Sequence, residues 1–349
     1  MGTKLKIALD AMGGDDAPDM IIGGIDIARL RYPELRVLLF GDEARIAPQL
    51  ARYPGLKDVV EVRHTDKAIS SAEQPAQALR RGRDSSMRLA INAVKQGEAD
   101  GVISAGNTGA LMAMAKFVLK TQSGIDRPAM VSFFPTSRGE SAMLDLGANV
   151  DCDANNLVQF AIMGAAFARI ELNVERPTVG LLNIGVEDVK GNDAVKTAGQ
   201  ILRQGEFDFE FYGFVEGNDI GAGTVDVFVT DGFSGNVAIK TAEGTARLYT
   251  GFLNKAFRSS LMSKIGYLLA KPALDRLRAR MDPRAYNGAM FLGLNGVVVK
   301  SHGGTDPKGF AHAIDVAVDM VRGDFAERIN TDLMRFDAGE SSATEAAVS

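Results

Sequence analysis

Short apolar runs alternate with longer amphipathic stretches from one end of the chain to the other. Runs at 6–11, 36–40, 59–63, 101–104, 130–134, 142–146, 178–183, 209–212, 225–230 and 297–300 have strand length and strand composition. Helical periodicity fills many of the gaps, at 20–31, 76–95, 108–121, 154–171, 193–203, 236–257 and 307–321. Strands that alternate with helices predict βαβ units and a mostly parallel sheet with helices on both faces. The strands at 130–134 and 142–146 stand too close for a helical crossover and predict a hairpin.

The glycines add a second pattern, because strand after strand ends in a small polar loop. These loops are Asp10-Ala11-Met12-Gly13-Gly14-Asp15, Ser104-Ala105-Gly106-Asn107-Thr108-Gly109, Asp145-Leu146-Gly147-Ala148-Asn149, Asn183-Ile184-Gly185, Asp231-Gly232-Phe233-Ser234-Gly235-Asn236 and Ser301-His302-Gly303-Gly304. In a parallel sheet they share one edge, so they are expected to converge on one cleft. Glycine allows close backbone approach, and the first N–H groups of a helix are free to bind an anion. Turn-making alone also explains any one of these glycines, but not the recurring Asn, Ser and His beside them.

Composition narrows the function. The chain has 349 residues, 46% hydrophobic and 24% charged, which is enough for one large α/β domain or two interlocked lobes over 1–336. The last residues, 337–349, are rich in Ala, Ser and Glu and are expected to be disordered. A net charge of −5 argues against a nucleic-acid partner. One cysteine, Cys152, and three histidines exclude a disulfide framework and make a metal centre an unpromising expectation. There is no signal-peptide core and no apolar run of membrane-spanning length, so a cytoplasmic protein is expected. No dinucleotide fingerprint, P-loop, H-E-x-x-H or G-x-S-x-G motif occurs.

The glycine-bearing loops resemble those of the bacterial phosphate acyltransferase family (PlsX). The matching stretches include Ala8-Leu9-Asp10-Ala11-Met12-Gly13-Gly14-Asp15, Ser104-Ala105-Gly106-Asn107-Thr108-Gly109-Ala110 and Asn183-Ile184-Gly185-Val186-Glu187-Asp188-Val189-Lys190-Gly191. Thr230-Asp231-Gly232-Phe233-Ser234-Gly235-Asn236, Tyr286-Asn287-Gly288-Ala289, Gly293-Leu294-Asn295-Gly296 and Lys300-Ser301-His302-Gly303 continue the series in family order. The resemblance covers about residues 4–334 and implies a fold like the isocitrate and isopropylmalate dehydrogenases and the phosphotransacetylases. It implies a homodimer that uses no metal or other cofactor. It also implies transfer of an acyl group from acyl carrier protein to inorganic phosphate at the membrane surface. A membrane glycerol-3-phosphate acyltransferase would take the acyl phosphate.

The residues suit that chemistry, since phosphate is already a nucleophile and needs only positioning and charge stabilisation. Lys190 is the candidate for holding phosphate or the oxyanion, or else it is a solvated lysine. Asn236 either donates to the carbonyl oxygen or caps the next helix. Asp231 either orients Lys190 or makes a turn, and His302 either protonates the leaving thiolate or lines the cleft wall. Asp10, Gly13, Gly14, Ser104, Gly106, Asn107, Thr108, Gly185, Ser234, Gly235 and Gly303 are the candidate substrate-binding positions. Asp15 is a candidate cap for the following helix.

An apolar cluster around Gly266 and Pro272, with Arg276, Arg278, Arg280 and Arg284 behind it, predicts a helical arm at about 255–284, in two helices broken by Gly266 and Pro272 with an apolar tip between them. Ile265, Tyr267, Leu268 and Leu269 would be its membrane contacts, with a dimer interface as the competing use. Arg80, Arg81, Arg83 and Arg88 form a second basic cluster, fit either for an acidic carrier or for plain solvation.

Overall fold

The computed structural model describes residues 5–280, 282–323, 325, 327–329 and 331; the expected tail at 337–349 and the side chains of Arg278 and Arg280 lie outside the described residues. The strands are β1 (Lys6–Asp10), β2 (Arg36–Gly41), β3 (Val60–His64), β4 (Gly101–Ser104), β5 (Ala129–Thr136), β6 (Gly139–Leu144), β7 (Thr178–Leu182), β8 (Glu210–Val215), β9 (Val227–Val229), β10 (Ala289–Leu292) and β11 (Val297–Lys300). The helices are α1 (Asp19–Arg31), α2 (Glu43–Leu50), α3 (Pro75–Arg81), α4 (Ser86–Lys95), α5 (Thr108–Leu119), α6 (Ala154–Glu171), α7 (Asp193–Gln204), α8 (Gly217–Ala222), α9 (Gly232–Arg258), α10 (Leu261–Arg280) and α11 (Pro307–Arg322).

All eleven strands join one sheet in the order β3-β2-β1-β4-β11-β10-β5-β6-β9-β7-β8. Strands β3, β2, β1, β4 and β11 form one parallel block, and β6, β9, β7 and β8 form another. Between the blocks the β11–β10, β10–β5 and β5–β6 pairs are all antiparallel, which confirms the hairpin. Three successive reversals leave the two blocks pointing in opposite directions. The mostly parallel sheet expected from the sequence is therefore present, but the polar strand ends do not share one edge. Those of β1, β4 and β11 leave one edge, and those of β6, β9 and β7 leave the other.

Residues alternate across the sheet as a two-residue strand period requires. Ile7 and Leu9 of β1 join a large cluster with Ile21, Phe160, Phe167 and Phe310 under α1, α6 and α11. Ala8, between them, joins the opposite cluster with Ile91, Leu111 and Met114 under α4 and α5. A smaller third cluster holds Met143 and Phe228 beside Ile220.

Two helical boundaries correct the sequence reading. The single helix expected at 76–95 is broken, with α3 ending before Gly82 and α4 capped by the Ser85 hydroxyl on the Arg88 amide. A side chain at Gly82 would meet Ile69 and the Ala78 carbonyl, so the chain turns where only glycine fits. In the arm, the break falls at Ser259-Ser260, and α10 runs through both Gly266 and Pro272. Pro272 sits on a helix with long water-exposed stretches, so the backbone group it leaves unpaired can be solvated there.

Candidate functional site

The first edge gathers Asp10, Gly13, Gly14, Ser104, Gly106, Asn107, Thr108, His302 and Gly303. Asp10 is only 2% exposed and accepts from Ser86 Oγ at 2.6 Å, Ser104 Oγ at 2.7 Å and the Met12 amide at 3.2 Å. Ser104 Oγ in turn accepts from the Gly106 amide at 3.0 Å. Gly13 is a close-approach glycine, because a Cβ there would lie 2.5 Å from the Gly106 nitrogen. Asn107 caps α5 by accepting from the Ala110 amide at 3.0 Å, and its Nδ2 ties down the carbonyls of Ser70, Ser71 and Glu73. Thr108 opens that helix and is exposed. The Gly303 carbonyl accepts from the Asp15 amide at 2.9 Å. Asp15 does not cap α1, whose first position follows Pro18 with no side-chain cap.

His302 is exposed, and its Nδ1 accepts from the Gly304 amide at 3.1 Å. That bond leaves Nε2 as the free ring nitrogen. The His302 amide donates to Asn287 Oδ1 at 2.8 Å, and Asn287 Nδ2 donates to Ser301 Oγ at 2.9 Å.

Lys300, which sequence reasoning passed over, lies inside this edge. Its Nζ donates to the Ala105 carbonyl at 3.4 Å and to the Ser301 carbonyl, so one ammonium pins two polar loops. Burial pushes that ammonium down to about 8, against the pull of the Asp10 and Asp15 carboxylates. The available signal was a lysine closing an otherwise apolar strand, Val297-Val298-Val299. Ser86 was hidden inside the long helix expected at 76–95.

The second edge gathers Lys190, Gly185, Asp231, Ser234, Gly235 and Asn236. Because β9 pairs with both β6 and β7, the loops after these three strands leave side by side. Asp231 caps α9, accepting from the Ser234 amide at 2.8 Å and from Ser234 Oγ at 2.9 Å. Asn236 therefore lies inside the helix rather than capping it, with its Nδ2 donating to the Leu146 carbonyl at 3.3 Å. Gly235 is pressed against the Asp145 carbonyl, and the Gly232 amide donates to Asn149 O at 2.7 Å. Asp145, a second residue missed from sequence, is fully buried and binds the amides of Met130, Gly147, Ala148 and Asn149.

Lys190 is exposed on the loop after β7. Its amide donates to the Glu187 carbonyl at 3.0 Å, and its own carbonyl accepts from Asn183 Nδ2 at 3.2 Å. Its ammonium forms no ion pair among the described residues, so no bond to Asp231 fixes it. Among the described residues, no cluster of His, Cys, Asp or Glu is arranged to hold a metal ion.

The arm carries the expected apolar residues on its surface. Leu268 is 69% and Leu269 79% exposed, and Ile265 is exposed as well. Tyr267 is half-buried, its ring edge-on to Phe257 at 5.3 Å. No helix of the described residues is long and apolar enough to cross a membrane.

A phosphotransacetylase from Streptococcus pyogenes superposes with a TM-score of 0.61 at 18% identity, covering 92% of this chain and 95% of that one. A 4-hydroxythreonine-4-phosphate dehydrogenase from Klebsiella pneumoniae superposes with a TM-score of 0.50 at 12% identity, over 92% and 98%. These likenesses establish the fold. A phosphate acyltransferase from Rhodospirillum centenum is 62% identical over 343 residues, 98% of this chain and 97% of that protein. Residues 5–328 match the model of a family described as fatty acid synthesis protein. The chain belongs to that family, among relatives named phosphate acyltransferase.

Proposed function

We propose that this chain transfers a long-chain acyl group from acyl carrier protein to inorganic phosphate, releasing acyl phosphate and free carrier for phospholipid synthesis. The observation that carries this reading is an edge rich in donors but without an activated nucleophile. Lys190, on the loop after β7, is exposed, and Asn236, in the first turns of α9, donates only weakly, to the Leu146 carbonyl at 3.3 Å. Ser234 Oγ donates to the helix-capping Asp231 instead of meeting a base. Burial pushes the Cys152 thiol up to about 12, which leaves it unreactive. A nucleophile that arrives with the substrate fits such an edge. A phosphate oxygen attacks the thioester carbonyl, the C–S bond breaks, and the thiolate leaves and takes a proton.

In this reading Lys190 holds the phosphate and Asn236 donates to the developing oxyanion. The first edge leaves the other side of the sheet, so its donors and His302 belong in this reading to binding of the carrier rather than to the transfer step. The chemistry needs no metal or other cofactor. The arm suits reversible attachment to the inner face of the cell membrane, where a glycerol-3-phosphate acyltransferase would receive the product. Two copies pairing through their arms would give a homodimer.

Phosphate-dependent release of carrier thiol tests the reading, with acyl-coenzyme A run beside acyl carrier protein as donor. Release from the carrier donor is expected. Release from coenzyme A alone would move the activity to the phosphotransacetylase type, and release from neither would end it.

A further inference from the structure

We infer that the face formed by α3, α4 and α5 docks an acidic protein, the carrier that delivers the acyl thioester. The inference rests on the donor being a carrier protein. Arg80 and Arg81 end α3, Arg83 follows in the turn, Arg88 lies in the first turns of α4, and Lys116 lies near the end of α5. All but Arg88 are exposed, and none of the five forms an ion pair among the described residues. The nearby Asp84 carboxylate is occupied by Lys67 at 3.1 Å. This is a local inversion of sign on a chain whose net charge is −5.

The cations surround an aromatic anchor. Phe117 is 63% exposed, and the Arg88 guanidinium lies 5.2 Å from its ring centroid. Burial and the neighbouring Arg83 charge hold Arg88 below its ordinary value, so two like charges wait together for an anion. An exposed ring among unpaired arginines is the composition of a protein-docking centre.

The face also borders the first edge of polar loops. Ser86, the first residue of α4, reaches Asp10 at 2.6 Å, and Asn107, which caps α5, binds the loop that leads into α3. A carrier seated here would lie beside the polar loops of the first edge. The net negative charge of the chain disfavours nucleic acid as the occupant. The exposed apolar residues suited to lipid stand elsewhere, on the arm.

The test is the double variant Arg81→Glu with Arg83→Glu, assayed against acyl carrier donor at several salt concentrations. KM is expected to rise about tenfold or more with kcat unchanged, because charge steering acts on encounter rather than on chemistry. The salt dependence of the remaining encounter should also flatten. The neutral pair Arg81→Gln with Arg83→Gln should fall between wild type and the reversal. An unchanged KM, or a loss carried by kcat, would overturn the assignment while leaving the donor reading intact. Failure of the wild type to release thiol from any carrier donor would remove the donor reading, and this surface with it.

Discussion

Ser104 Oγ donates to the Asp10 carboxylate at 2.7 Å, fastening the ends of two neighbouring parallel strands. Asp10 is sealed from water and holds Ser86 by its other oxygen. Asp10→Ala strands two buried hydroxyls and the Met12 amide. It should cost about 2–4 kcal/mol, read as a lower denaturant midpoint at unchanged slope. A loss below about 1 kcal/mol would mean that the cluster contributes little to the fold.

Lys190 lies on the surface with its ammonium uncommitted, so its removal leaves the packing untouched. Lys190→Ala should keep the wild-type melting temperature and lower phosphate-dependent turnover by about 10²–10³, the scale of a lost charge-stabilising donor. Near-normal turnover would disqualify it.

Glu171 ends α6 among Asp319, Asp315 and Glu140, and its buried Oε1 has no hydrogen-bond partner. Burial, reinforced by these carboxylates, pushes it up to about 8 from an ordinary value of 4.5. Its contribution to stability is therefore complete below 4.5 and lost as pH rises through about 8. Glu171→Gln cannot ionise, so its melting temperature should exceed that of the wild type above about pH 8, with the gap closing toward about pH 5. A gap that does not vary with pH would refute the assignment.

The arm should be separable from the chemistry. Leu268 and Leu269 are exposed to water, and α10 packs against α9. Leu268→Glu should abolish co-sedimentation with anionic vesicles and spare turnover of soluble donor. Sedimentation that survives would locate lipid contact elsewhere.

Much of the fold was legible because period and punctuation agreed. The strands at 101–104 and 297–300 and the helix at 154–171 match the structure residue for residue. Strand β10 went unread, since Ala289–Leu292 sits between the glycines of two turn-like stretches. Missing it hid the reversals that turn the second block around, and with them the division of the polar loops between two edges. Lys300 and Asp145 stood in the quoted loops and motifs but carried no assigned role. Each closes an apolar strand, and their importance comes from burial against loops distant in sequence. No local pattern encodes that.

Helix α9 begins at the cap made by Asp231, carries Asn236 in its first turns, and continues unbroken for 27 residues to Arg258. At 1.5 Å per residue it is a rod about 40 Å long, rooted in the polar loops and tipped by the greasy end of the arm. Stiffness joins what distance separates. One unbroken rod therefore fixes the span between the donor-lined edge and the exposed apolar residues of the arm.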